Sequence, residues 1–226
     1  MEIYEIFETC LKNDDAFNDY DITELTEFGE LIGENESICL KLFDIFQNQK
    51  QIFKKTNSIE VEGLTVEKTS TGFILKYEDS KLELKSNEYF KYLGYISDTM
   101  LPIYPLGTVF KVKNESFKDI APMDNDAELY LVVTERFLTH STANIYVPYG
   151  GVVYPFGAYI LDQRIQFGPQ LIEEVIYEGY TDLMEEEYIK LMKEEMLLVQ
   201  GRHSMSFATD EEVERVQTSI AMDGDR

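Results

Sequence analysis

The segment Ile172–Asp182 reads IEEVIYEGYTD, and its pattern decides how the second half of the chain is expected to fold. Its first part alternates like a strand, so Val175 and Tyr177 should face one side and Ile176 the other. Gly179 would then permit a bulge or a close backbone approach before the next helix. The segment is interpreted as a fold determinant in preference to a binding site, which remains the alternative.

Other strand patterns precede this segment. Short alternating runs predict five strands, at residues 108–113, 129–136, 144–148, 164–167 and 174–180. A single 3₁₀ turn is predicted at Gly168–Leu171, just before the last strand, and a long polar connection at 114–126. This order of elements favours a small antiparallel β-barrel, similar to that of SH3 domains.

The pair Gly150–Gly151 permits two interpretations. Two glycines between strand-like segments are typical of a tight hairpin, because glycine adopts the positive φ angles of such turns. A glycine loop that binds a ligand is the alternative. The hairpin is favoured, since neither a phosphate-binding loop nor a dinucleotide-binding glycine pattern occurs in the chain.

The first 100 residues combine helices with a small sheet. Apolar residues at helical spacing predict a helix that ends at Asn13, a second that opens with a capping box at Asp21, and a third that ends by Asn57. Alternation over 59–84 predicts an antiparallel meander with one solvated face. A short helix capped by Ser86 or Asn87 follows, and a boundary is expected near residue 100.

Two further helices are predicted at the C-terminal end. The first is acidic and amphipathic and spans Leu183–Val199, with Met184, Tyr188, Leu191, Met192 and Leu198 on one side. The second is short and opens with a capping box at Thr209. The prediction is an α+β protein with three regions: helices and a β-meander at 1–100, a β-rich module at 101–182, and the acidic helix with a tail at 183–226.

The charge of the chain limits its partners. The formal net charge is −23, from 43 acidic and 20 basic residues. Phosphate contacts require clustered Lys and Arg, so a nucleic-acid partner is not expected, and the same charge repels anionic lipid. Plain solubility is the favoured explanation, and recognition of a basic protein partner is the alternative.

The cysteines and the chain start indicate a compartment. Cys10 and Cys39 are the only two cysteines, and both fall on apolar helical faces. Two buried free thiols are therefore expected in preference to a disulfide. The first residues lack the pattern of a signal peptide, and no apolar run approaches the ~20 residues of a membrane span. A cytoplasmic protein without membrane insertion is therefore expected.

No catalytic, cofactor-binding or metal-binding residue is predicted. His140 and His203 are the only histidines, no cysteine pair has ligand spacing, and no nucleophile elbow occurs. Glu173 and Glu174 are neighbours in a strand and should point to opposite faces. This argues against the two carboxylates acting together as a general acid and base. An enzyme that uses clustered carboxylates is kept as a third class and requires a deep pocket.

Aromatic and apolar residues of the second half form the predicted partner-binding surface. Exposed tyrosines are common in protein interfaces. For the five aromatic residues from Tyr146 to Tyr159, the competing interpretation, in which the rings fill the core and satisfy their hydroxyls at its rim, is the favoured one. The predicted surface residues are Tyr146, Tyr149, Tyr154, Phe156, Tyr159, Tyr180, Met184, Tyr188, Leu191 and Met192.

Three stretches of the β-rich region carry a family resemblance. Pro105–Val109 is similar to an opening Leu-Pro-Ile-Gly-Thr-Val, Tyr154–Gly157 to a Tyr-Pro-x-Gly, and Ile172–Asp182 to a closing Ile-x-x-Val-x-x-x-Gly-Tyr-x-Asp. These patterns resemble an uncharacterised family of small Gram-positive bacterial proteins encoded beside LXG toxins of the type VII secretion system. The family strand usually ends in Gly-Arg, where this chain reads VTER at Val133–Arg136.

The resemblance implies a setting and no chemistry, because the family carries no catalytic motif to transfer. It implies a cytoplasmic, non-enzymatic accessory or chaperone-like protein that binds an LXG toxin or its export machinery. The alternative is an immunity protein that neutralises the cognate toxin domain, for which a charge of −23 suits a cationic toxin. The sequence leaves the oligomeric state open.

Overall fold

The structure is a computed structural model of the 226-residue chain. It describes residues 1–113, 128–140, 144–159 and 164–208, together with Glu214, Arg215 and Thr218. The predicted polar connection at 114–126, most of the helix predicted from Thr209 and the C-terminal tail lie outside the described residues. The chain forms two compact units, Met1–Leu101 with Lys193–Phe207, and Pro102–Met192 with the described residues from Ala208 onward.

Four α-helices belong to the first unit, and each buries one apolar stripe. They are α1 at Ile3–Asn13, α2 at Ile22–Gly33, α3 at Glu36–Ile52 and α4 at Ser86–Met100, with a 3₁₀ turn at Asp15–Phe17 after α1. Asp21 is the N-cap residue of α2 and accepts from Thr23 N at 2.9 Å and from Glu24 N at 3.4 Å, which matches the Asp21 half of the predicted capping box. The helix predicted to be short after residue 85 is a full-length helix, and Ser86 lies inside its first turn instead of capping it.

The predicted antiparallel meander is confirmed. Its strands are β1 at Ser58–Val61, β2 at Leu64–Lys68, β3 at Gly72–Tyr77 and β4 at Ser80–Lys85, in the order β1-β2-β3-β4. One face of this sheet is buried. Leu64, Val66 and Leu75 are buried on it and alternate along their strands with more exposed residues. Phe73 on this face stacks on Tyr89 of α4 at 4.2 Å between ring centroids, so sheet and helix share one core.

The second unit is built on an antiparallel sheet. Its strands are β5 at Val109–Val112, β6 at Leu129–Thr139, β7 at Ile145–Val153, β8 at Ile165–Phe167 and β9 at Ile172–Tyr177. Strands β7, β6, β5 and β9 are neighbours in that order, and β8 pairs with β7. Within the described residues this sheet does not close on itself, so the α+β class is confirmed and the SH3-like barrel is not.

The hairpin predicted at Gly150–Gly151 is wrong. Both glycines lie inside β7, opposite a register shift in β6 between Val133 and Glu135. A Cβ atom at Gly151 would lie 2.7 Å from the backbone oxygen of Val132, and one at Gly150 would lie 3.1 Å from Glu135 Cβ. Glycine is thus needed here because neighbouring atoms approach closely, not because the chain turns.

The predicted C-terminal helix begins at the expected residue and changes its winding near its end. Helix α5 spans Leu183–Glu194 and continues as a π-helical turn at Glu195–Val199, and Gly201 follows with a φ of +60°. A two-residue strand, β10 at His203–Ser204, and a 3₁₀ turn at Met205–Phe207 follow. No helix in the described ranges has the length and apolar character to cross a membrane.

Candidate docking surface

The closing segment is held to the start of β5 by its glycine. Gly179 N donates to Thr108 Oγ1 at 3.1 Å, and the same hydroxyl donates to Pro105 O at 2.7 Å. A Cβ atom at residue 179 would lie 2.2 Å from the backbone oxygen of Leu106, closer than any side chain tolerates. The expected close backbone approach at Gly179 is confirmed, and it sets where the chain leaves the sheet before α5.

Helix α5 begins at a carboxylate cap. Asp182 Oδ1 accepts from Glu185 N at 2.9 Å, and Asp182 O accepts from Glu186 N at 3.1 Å. A carboxylate at this position satisfies a backbone N–H that has no intrahelical partner and complements the positive end of the helix dipole. The cap and Gly179 together fix the start of α5 relative to β5 and β9.

A buried arginine on β6 fixes the rotation of α5. The side chain of Arg136 is only 6% exposed, and its guanidinium forms two contacts to the carboxylate of Glu185, with Nη2 at 3.2 Å from Oε2. The guanidinium carbon also lies 5.2 Å from the ring centroid of Tyr188. We call Arg136, Phe137, Glu185 and Tyr188 the β6–α5 clasp.

Phe137 gives the clasp an unusual backbone. Its φ is +52°, in the left-handed region that a bulky residue rarely adopts. Its ring packs against Tyr146 at 5.7 Å and against Tyr188 at 6.5 Å between centroids. Such strain persists only where surrounding contacts impose it, and here it aims neighbouring Arg136 and Phe137 at the same helix.

The clasp leaves an apolar face of α5 exposed. Met184 is 79% exposed, Tyr188 is 40% exposed and Leu191 is 63% exposed, at the i, i+4 and i+7 positions of one helix face. We call these three residues the α5 stripe. Leu183 is exposed beside it, whereas Met192 and Leu198 are half-buried. The residues buried near the end of this helix are Lys193, Met196 and Leu197, which the sequence did not place inside.

Two of the predicted surface tyrosines are core residues. Tyr146 and Tyr149 are fully buried in β7, so neither can contact a partner. Tyr149 OH accepts from Tyr104 N at 3.1 Å and donates to Pro102 O at 3.3 Å, while its ring packs on Phe167. Strand β7 is covered on both faces, which alternation of its sequence does not reveal.

The remaining predicted residues differ in exposure. Tyr154, Phe156 and Tyr180 are exposed, and the side chain of Tyr159 lies outside the described part of the chain. Exposed apolar residues that sequence reasoning missed are Ile176, Tyr177 and Leu183. The strand pattern put Tyr177 and Ile176 on opposite faces and did not predict that both are exposed; β9 is an edge strand that pairs only with β5 among the described strands.

Replacing Arg136 by Met is expected to destabilise the protein by about 2 kcal/mol, because it leaves Glu185 without its guanidinium and Tyr188 without its cation. The loss should also free α5, seen as faster amide hydrogen exchange at 183–191. The control is Arg164→Met, whose pair with Glu135 is exposed and should contribute less than about 1 kcal/mol. Equal effects of the two variants would show that the clasp does not hold α5.

A second polar cluster lies inside the first unit. Lys193 Nζ donates to Thr99 O at 2.6 Å and to Leu101 O at 2.7 Å, at the C-terminal end of α4. Asp98 Oδ2 accepts from Ser204 N at 2.8 Å. Burial lowers the pKa of Lys193 to about 8 and raises the pKa of Asp98. These contacts tie backbone groups together, which is a structural role.

The described residues hold no group of side chains suited to a metal ion, and the two thiols are inert in character. No group of three or more His, Cys, Asp or Glu side chains among them is placed so that it could hold a metal ion. Cys10 and Cys39 are free and buried, and burial raises the pKa of each thiol to about 12.

Comparison with known proteins adds a family for part of the chain. The comparisons with curated proteins and with solved structures give no match. The resemblance to an uncharacterised family is confirmed by a family model that covers most of the second unit, from before β5 to Tyr188 in α5. Residues 103–188 match the family described as a domain of unknown function, DUF4176.

Proposed function

We propose that this protein is a non-enzymatic cytoplasmic accessory or chaperone-like protein that binds an LXG toxin, or a component of its export machinery, before type VII secretion. The observation that carries the proposal is the exposed α5 stripe, in which Met184 and Leu191 are largely exposed and Tyr188 also packs in the β6–α5 clasp. The resemblance described for the β-rich region supplies the identity of the partner.

A single exposed apolar residue needs no explanation, since most protein surface is apolar. The region 176–191 is different because several large apolar side chains in it are exposed together, and three lie on one helix face. Groups of large exposed apolar side chains are more often found at protein interaction sites than single ones are. A helix face with anchors at i, i+4 and i+7 is also a recurring way to bind another protein segment.

The test is co-purification of the full chain with the toxin encoded beside it, expressed together. The wild-type protein should retain the toxin, and the double variant Met184→Ser with Leu191→Ser should retain at least about tenfold less, because two desolvated anchors are lost. Leu31→Ser, an exposed leucine of α2, is the matched control and should behave as wild type. Deleting the export region of the toxin should abolish retention.

The outcomes distinguish this function from the alternative of an immunity protein. The net charge of −23 favours that alternative if the toxin domain is cationic. An immunity protein would still bind after deletion of the export region and would protect cells from the toxic domain. Failure of the wild-type protein to retain any form of the toxin would contradict the immunity function and toxin binding by an accessory protein, and would leave only a component of the export machinery as the partner.

A further inference from the structure

We infer that the segment seated on the α5 stripe is a basic amphipathic helix, with apolar residues on one face and Lys or Arg along its flanks. This inference rests on the proposed function and deepens it by stating the chemistry of the partner. It combines two observations, the exposed stripe and the charge that borders it.

The charge bordering the first part of the stripe is acidic, whereas Lys190 beside Leu191 is paired with Glu187. Residues 173–187 contain seven acidic side chains and no basic one. Glu173 is paired with Lys111, and Glu185 belongs to the β6–α5 clasp. The carboxylates of Glu178 and Glu186 are exposed and form no ion pair with a described cation. A cationic segment would therefore gain attraction on approach and new pairs at the rim of the stripe.

The stripe suits a helix better than a strand. Its three side chains span two turns of α5, about 11 Å at 1.5 Å per residue, which matches the ridges that one helix offers to another. The exposed edge of β9 is the place where a strand could add. Its pairing with β5 has two register shifts, between Val109 and Phe110 and between Lys111 and Val112, and such irregular edges resist strand addition.

A second copy of the chain is a poor occupant for the same electrostatic reason. A two-fold contact would bring the acidic segment 173–187 close to its own copy, and each chain carries a formal charge of −23. Like charges brought together in an interface are destabilising, so self-association through the stripe should be weak.

The experiment measures binding of labelled synthetic peptides to the full chain by fluorescence anisotropy. The probe is a helical peptide of about 18 residues, made of Leu at i, i+3, i+4 and i+7 spacing and Lys elsewhere. The comparison peptide has the same Leu positions and Glu in place of Lys. We expect the Lys peptide to bind at least about tenfold more tightly than the Glu peptide, with affinity that falls as salt is raised.

Variants locate the site. Met184→Ser with Leu191→Ser should weaken binding of the Lys peptide at least about tenfold, and Glu178→Gln with Glu186→Gln should reduce its salt dependence. Leu31→Ser and Glu27→Gln, both exposed on α2, are the controls and should leave binding unchanged. All substituted side chains are exposed, so circular dichroism should match wild type.

Equal binding of the two peptides would overturn the inference, as would wild-type affinity in the Met184→Ser, Leu191→Ser variant. A dimer that depends on the stripe, measured by analytical ultracentrifugation, would also overturn it in favour of a second copy.

If the Lys peptide binds through the stripe but the toxin does not co-purify, the proposed function fails and the basic-helix chemistry stands. If the toxin co-purifies through the stripe and peptide charge has no effect, only this inference fails.

Discussion

Gly179→Ala is expected to destabilise the protein by about 3 kcal/mol, near the upper end of effects from overpacking. The new Cβ atom would meet the backbone oxygen of Leu106 at 2.2 Å, and a backbone atom cannot move aside as a side chain can. Relief would require breaking the hydrogen bond from Gly179 N to Thr108 Oγ1 and shifting the start of α5. Chemical denaturation monitored by circular dichroism measures the loss.

The control for this variant is Gly168→Ala. The three atoms nearest to a Cβ atom at residue 168 would belong to the amide end of the flexible Gln170 side chain, and the φ of Gly168 is −111°. Its effect should stay below about 1 kcal/mol. Equal stability of Gly179→Ala and wild type would contradict the assignment of the closing segment as a fold determinant.

Lys193→Met is expected to destabilise the protein by about 3 kcal/mol at neutral pH, because one partner of a buried charged cluster is removed. The substitution keeps the volume of the side chain but leaves Thr99 O and Leu101 O without their shared donor. It also removes the buried cation near Asp98. The matched control is Lys190→Met on the same helix, whose ion pair with Glu187 is more exposed and should contribute little.

The difference between wild type and Lys193→Met should grow with pH. Lys193 has a pKa of about 8 in the folded protein, below the ordinary value of 10.5. At a pH between these two pKa values, Lys193 carries a proton in the unfolded chain and not in the folded chain. The contribution of Lys193 to the free energy of unfolding therefore rises with pH. The slope should be about 1.4 kcal/mol per pH unit at its steepest. The buried thiols of Cys10 and Cys39 act in the opposite direction above pH 9, but they are present in both proteins.

The measurement is the free energy of unfolding of both proteins from pH 8 to about 9.5 by chemical denaturation. A constant difference over this range would show that Lys193 is not the buried, proton-losing group that the contacts describe. A difference that shrinks as the pH rises would show the opposite linkage, in which folding favours the charged lysine.

Most of the fold could be predicted because its elements have strong periodicity. The apolar spacing of α1, the cap at Asp21 and the alternation of β1 to β4 each follow from local sequence. Gly150–Gly151 was misassigned because a glycine pair looks the same in a turn and opposite a bulge. Only the approach of Val132 O, a long-range contact, distinguishes the two.

The candidate site was less predictable, for a physical reason. The spacing of Met184, Tyr188 and Leu191 identifies one helix face but not the direction in which it points. That direction depends on the pair between Arg136 and Glu185, which are 49 residues apart. The burial of Tyr146 and Tyr149 could not be predicted from local sequence. Strand β7 is covered on both faces, and such a strand shows no alternation of apolar and polar residues that would indicate its burial.

Docking on the α5 stripe is tested most directly by amide hydrogen exchange on the full chain, with and without the export region of the toxin encoded beside it. Binding is expected to protect α5 at 183–191, and Met184→Ser with Leu191→Ser should remove this protection. Protection confined to α2 and α3, with none in α5, would contradict the claim that the α5 stripe is the docking surface.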